Sequence, residues 1–170
     1  MKRILVLFTL ISSIYAQTSV IDQLSLFFNN DLKFIQSSLN TITNTFDRTE
    51  GEYSRKNDLI IVNVTSPYKE NYYINDKNIE IHDLDFDQIR SIPLSEIEDT
   101  FLINFLRNQS LQAYDIKNIK EDSFKLVKND KEYNFEFLDK DELQVKFTDN
   151  MNVKNIVKFY IKLWLPILFL

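Results

Sequence analysis

The 170-residue chain has no cysteine, one glycine, three prolines, one histidine and one tryptophan. Without cysteine there are no disulfides, no thiol nucleophile and no Cys-ligated zinc. The lone His82 has no second histidine to share a metal with and no evident catalytic partner. So few glycines and prolines argue against a long disordered linker. The motifs G-x-S-x-G, H-E-x-x-H and the phosphate loop do not occur. Asp83, Asp85 and Asp87 have the D-x-D-x-D spacing of a calcium loop, but Gln88 and Leu94 stand where its glycine and closing glutamate belong. At strand spacing these three carboxylates are expected to share a solvated face. The sequence therefore gives no metal site, no cofactor and no catalytic residue, and nothing in it argues for an enzyme.

What is present begins at the N-terminus. Lys2 and Arg3 precede an apolar run from Ile4 to Ile14, and Ser13-Ile14-Tyr15-Ala16 supplies small residues at its outer and final positions. This is the pattern of a cleaved secretory signal over residues 1–16, and the run is short for a bilayer span. A lipoprotein signal needs Cys after the cut; here the residue is Gln17. The expectation is a single domain over residues 17–170, acting outside the cytoplasm and not lipid-anchored at its N-terminus. Losing Lys2 and Arg3 leaves 18 basic against 25 acidic side chains, a net charge of −7. A domain this acidic is a poor partner for nucleic acid, and its size allows a core without disulfide staples.

Phenylalanine and tyrosine are abundant, with 14 and 8 copies. Ser19 can cap a helix over 19–32, with Ile21, Leu24, Phe28 and Leu32 on one face. Extended runs follow: Ile35–Asn44, Arg48–Arg55, Leu59–Ser66, Glu70–Asn75, Asn78–Phe86 and Gln88–Leu94. Polar turn signals separate them at the spacing of an antiparallel meander. A second helix is expected over 95–107, with Ser95 and Glu98 as a capping box and Ile97, Phe101, Leu102, Phe105 and Leu106 on its apolar face. Further strands are expected at Leu111–Ile119, Ser123–Lys128, Tyr133–Leu138 and Glu142–Phe147, before a hydrophobic end at Val153–Leu170. Many strands with few helices imply a mainly β fold, a highly curved antiparallel sheet or open barrel. Such a sheet, lined by aromatic and β-branched residues, can hold an apolar ligand.

Lys56-Asn57-Asp58-Leu59, the run Ile60-Ile61-Val62-Asn63-Val64-Thr65-Ser66-Pro67, Tyr72-Tyr73-Ile74-Asn75-Asp76, Ile79-Glu80-Ile81 and Asp87-Gln88 follow one another at set spacings. In this order the segment resembles the outer-membrane lipoprotein carrier family (LolA-like). The resemblance is good over Lys56–Leu94, looser over Ile35–Arg55 and weak after Leu111. Leu39-Asn40-Thr41 stands for the family's F-x-Q, Arg55-Lys56-Asn57 for its Arg-Pro, and Val62 for its strand tryptophan. The resemblance implies a half-open barrel of about eleven strands covered by lid helices. It also implies a monomeric periplasmic carrier, without enzymatic activity, that takes lipoproteins from the inner to the outer membrane. The implied partners are acylated lipoproteins, an inner-membrane lipoprotein-releasing ABC transporter and an outer-membrane receptor lipoprotein. On that reading Phe46, Tyr53, Ile60, Val62, Val64, Tyr73, Ile81 and Ile89 line the lipid cavity. Phe101, Leu102 and Phe105 close the lid, and Arg55 or Lys56 holds it at the rim. The alternative is a periplasmic interaction or sensor module built on the same curved sheet.

Overall fold

With a single glycine available, the turns draw on asparagine and aspartate. Asn44, Asn57, Asp87, Asn118, Asp130 and Asn152 all have positive φ, between 51° and 64°. Their short polar side chains tolerate this left-handed region better than other non-glycine residues do. Each sits between two neighbouring strands. A computed structural model of the protein describes residues 19–40, 43–97, 103, 106, 111, 115–128 and 130–162.

The first described element is helix α1, Val20–Phe27. Ser19 caps it as the sequence predicts: its side-chain oxygen accepts from the Asp22 backbone N–H at 3.1 Å. Removing this cap with Ser19→Ala is expected to lower stability by about 1 kcal/mol, read as a drop in the urea midpoint. The helix stops short of the expected residue 32. The Asn30 side-chain amide donates to the carbonyls of Leu26 and Phe27, at 3.0 and 3.2 Å, and so satisfies the last turn.

Eleven strands follow: β1 Leu32–Asn40, β2 Thr45–Lys56, β3 Leu59–Ser66, β4 Glu70–Ile74, β5 Asn78–Asp83, β6 Gln88–Pro93, β7 Asp115–Lys117, β8 Ser123–Lys128, β9 Lys131–Asp139, β10 Glu142–Thr148 and β11 Lys154–Ile161. They form one curved, unclosed antiparallel sheet in the order β6-β5-β4-β3-β2-β1-β11-β10-β9-β8-β7. The mainly β, half-open architecture expected from the sequence is therefore present. The apolar C-terminal run supplies β11, which closes the gap between β1 and β10; its last residues, 163–170, lie outside the described residues.

Two local expectations are corrected. The Asp83, Asp85, Asp87 series does not lie along a strand, because β5 ends at Asp83. Asp83 Oδ1 accepts from the backbone N–H groups of Asp85 and Phe86, and Asp85 Oδ2 accepts from that of Lys69. These are turn-forming bonds that tie the β5–β6 loop to the β3–β4 loop. Nor does a capped α-helix begin at Ser95. Leu94–Glu96 is a single 3-10 turn, and Ile97 is extended, with φ −94° and ψ 114°. Ile103 and Leu106 are helical; the rest of 98–110 lies outside the described residues.

Strand register settles which side chains share a face. Tyr53 pairs with Leu32 and Val62, Val62 with Tyr72, and Tyr72 with Ile81. Across the other half, Phe159 pairs with Phe34 and Leu143, Leu143 with Phe137, and Val145 with Phe135. These are the concave-face residues, and nearly all the buried hydrophobic residues belong to this face or to α1. Phe28 locks α1 down with edge-to-face contacts to Tyr53 and Phe159, at 5.8 and 5.1 Å between centroids, and Phe27 packs likewise on Phe137 at 5.7 Å.

Candidate functional site

Helix α1 covers only part of the concave face. Beside it the sheet encloses a hollow of about 270 Å3, lined by Phe34, Gln36, Thr49, Tyr53, Val62, Val64, Tyr72, Ile74, Leu106, Val157 and Phe159. Its floor comes from β1, β2, β3, β4 and β11, neighbours across the middle of the sheet. Alternation places these residues together: Val62 and Val64 on β3, Tyr72 and Ile74 on β4, and Val157 and Phe159 on β11 are each two apart. Leu106 reaches the hollow from the long connection that joins β6 to β7, the two free edges of the sheet. It is buried.

Among the described residues the lining carries no charged side chain. Ions lie at its borders instead. Arg55 sits on the concave face of β2, where it pairs with Ile60 of β3. Its Nη1 donates to the Leu106 carbonyl at 3.3 Å and its Nε to the Asn57 carbonyl at 3.2 Å. Lys56, the next residue, faces the other way and is exposed. Of the two basic residues expected at the rim, Arg55 is the one that touches the segment over the hollow.

Two tyrosines border the apolar space. The Tyr53 hydroxyl donates to the Phe28 carbonyl at 3.3 Å, and burial pushes its pKa up to about 12. The Tyr72 hydroxyl donates to Glu70 Oε2 at 2.5 Å; burial first, then this bond, pushes its pKa up to about 12. Unfolded tyrosines ionise near pH 10. The folded form holds these protons more tightly, so the stabilisation is complete below pH 10 and is lost as pH rises toward 12. Stability should fall across that window by on the order of 2 kcal/mol through Tyr53, and Tyr53→Phe should flatten this part of a plot of urea midpoint against pH.

The structure sorts the residues expected in the cavity into four groups. Tyr53, Val62 and Val64 line the hollow. Ile60 and Ile81 are on the same face but buried in the core beside it. Phe46, Tyr73 and Ile89 correct the expectation. Phe46 lies on the convex face near the β1–β2 turn and is 75% exposed, and Ile89 lies on the edge strand β6 and is 69% exposed. Tyr73 is one residue out of phase with Tyr72 and packs against His82 on the convex side, with ring centroids 4.9 Å apart and planes tilted by 58°. Phe101, Leu102 and Phe105 lie outside the described residues. His82 itself is bonded to Glu80 at 2.5 Å. Among the described residues no cluster of three or more His, Asp or Glu side chains could hold a metal ion. No described helix is long and apolar enough to cross a membrane.

Sequence reasoning missed Phe34, Gln36, Thr49, Tyr72, Ile74, Leu106, Val157 and Phe159 as lining. The alternation Val157-Lys158-Phe159 was a usable signal. The choice of Tyr72 over Tyr73 was not legible, because it depends on how the loop after Pro67 resets the phase of β4.

No protein-family model matches the chain, and no curated protein matches it. Among solved structures the chain is similar to a LolA superfamily protein from Nitrosomonas europaea. The two are 8% identical, with a TM-score of 0.48, and the match covers 86% of this chain and 95% of the other.

Proposed function

We propose that the protein is an exported carrier that shields acyl chains from water and moves acylated lipoproteins between membranes, with no catalytic step. The observation that carries this reading is the hollow on the concave face, whose described lining is mostly apolar and uncharged and includes Leu106. Each methylene moved from water into such a site is worth about 0.8 kcal/mol, so a modest length of chain gives useful affinity without a specific polar anchor. The sequence resemblance over Lys56–Leu94 supports the same reading. On it, a lipoprotein-releasing ABC transporter loads the carrier and an outer-membrane receptor unloads it.

Opening would require Leu106 to leave the hollow, and Arg55 opposes that with its bond to the Leu106 carbonyl. Arg55→Met should therefore speed release of a bound acyl probe several-fold in stopped-flow displacement, since one charge-assisted bond is removed at a partly exposed site. Lys56→Met should leave release unchanged. The function itself is tested by mixing the chain from residue 17 onward with a detergent-solubilised triacylated lipoprotein and then removing detergent. The carrier reading predicts a soluble complex on gel filtration. Precipitation of the lipoprotein, with the carrier eluting alone, would overturn it.

A further inference from the structure

One side of the hollow is not apolar. Gln36 and Thr49 line it as directly paired neighbours on β1 and β2. A chain of hydrogen bonds behind them fixes how Gln36 is presented. The Asp149 carboxylate only accepts, so the Asn155 side-chain amide nitrogen faces it, at 3.3 Å, and also donates to the Val153 carbonyl at 3.0 Å. Asn155 is 4% exposed, and its oxygen is thereby turned toward β1. That oxygen accepts from the Ser38 hydroxyl at 2.7 Å and from Gln36 Nε2 at 3.0 Å, while Gln36 Nε2 also donates to Ser38 Oγ at 3.0 Å.

Gln36 has thus committed its nitrogen, and its amide oxygen has no partner among the described residues. The Thr49 hydroxyl has none either. No described buried side-chain nitrogen or oxygen lacks a partner, so these two atoms are reachable from open space. Both residues line the hollow. A carbonyl-type acceptor and a hydroxyl therefore stand together at the margin of an otherwise apolar site.

We propose that Gln36 and Thr49 read the polar head of the bound amphiphile, selecting an acyl or alkyl chain whose head carries an uncharged N–H or O–H donor. The donor bonds Gln36 Oε1, and Thr49 bonds the adjoining oxygen or shares the donor. Gln36, held by Ser38 and Asn155, is pre-organised for this role. None of the described lining residues is charged, and such a surrounding disfavours an ionised head. The volume bounds the chain: an apolar cavity of ~150 Å3 takes one benzene, so this one takes roughly a dozen carbons.

This inference rests on the acyl-binding reading, and the test separates the two. Four probes compete with a neutral naphthylamine fluorophore for the chain from residue 17 onward. They are N-methyldodecanamide against N,N-dimethyldodecanamide, and dodecanol against its methyl ether. Within each pair the long chain is constant and a methyl group replaces the donor hydrogen. The donor-bearing member should bind roughly tenfold more tightly, the upper range for one neutral hydrogen bond made in an apolar site. Discrimination in the amide pair alone identifies an amide-linked head, in the alcohol pair alone a hydroxyl head; either supports the proposal. Gln36→Met should bring the ratio to about one, and Thr49→Val, which leaves the Asn155 network intact, should reduce it. Equal affinity within both pairs overturns the head-group proposal while leaving the acyl site standing. Failure of all four probes to displace the fluorophore overturns the acyl site and the proposal together.

Discussion

Truncating Phe28 to alanine is expected to lower the free energy of unfolding by about 4 kcal/mol, the middle of the range for deleting a buried aromatic ring. Phe28 is fully buried. Its ring meets Tyr53 of β2 and Phe159 of β11 edge-on, and it packs on Phe27 in the same manner at 5.6 Å. The space has little means of collapsing, because its walls belong to three separate elements and two of them are held in strand register. Equilibrium urea unfolding checks this. Tyr53 and Phe159 also line the hollow, so the same variant should loosen that wall and weaken acyl-probe binding at concentrations of urea where the protein is still folded.

Replacing Gly51 by valine is expected to lower stability by about 3 kcal/mol, although valine favours strands elsewhere. Gly51 is the only glycine of the chain and lies buried in β2, between Phe34 of β1 and Val64 of β3. A Cβ added there would stand 2.6 Å from Phe34 Cζ and closer still to the carbonyl oxygen of Asn63. The ring could move only by giving up its place in the floor of the hollow. The carbonyl belongs to the backbone of β3, at a point where the β2–β3 register already shifts between Glu50 and Gly51. Glycine here is a site of close approach, with the aromatic ring laid over the gap. Urea unfolding should show a midpoint lowered by roughly 1–2 M with little change in slope. Gly51→Ala should fall between the two.

Much of the strand pattern was legible because it rests on local chemistry. Leu59–Ser66 and Ser123–Lys128 are bounded by polar turns, and both strands begin and end at those residues. The cap at Ser19 followed from its position before an apolar period. The failures have a common physical origin in long-range contacts. Leu32 continues the helical period from Ile21 and Leu24, but pairing with Tyr53 and Ile161 places it in β1. Phe46 and Ile89 look like lining because they are large and apolar; their exposure follows from strand phase and from the edge position of β6.

The site was read less well than the fold. Val62 and Val64 could be assigned from alternation in the strongest strand. Arg55 could be separated from Lys56 only once β2 had a defined phase, since neighbouring residues on a strand point to opposite faces. Gln36 and Thr49 had no local signature at all, and their role emerges from pairing across β1 and β2 and from a network reaching Asn155, more than a hundred residues away.

The central claim is that an acyl chain enters the hollow between the concave face and Leu106. Photocrosslinking tests it most directly. A dodecanamide carrying a terminal diazirine is bound to the chain from residue 17 onward and irradiated, and the modified residues are located by mass spectrometry. The account predicts adducts on Val62, Val64, Tyr72, Val157 and Phe159, which line the hollow. Adducts confined to exposed apolar residues such as Phe46, Phe86 and Met151 would contradict it.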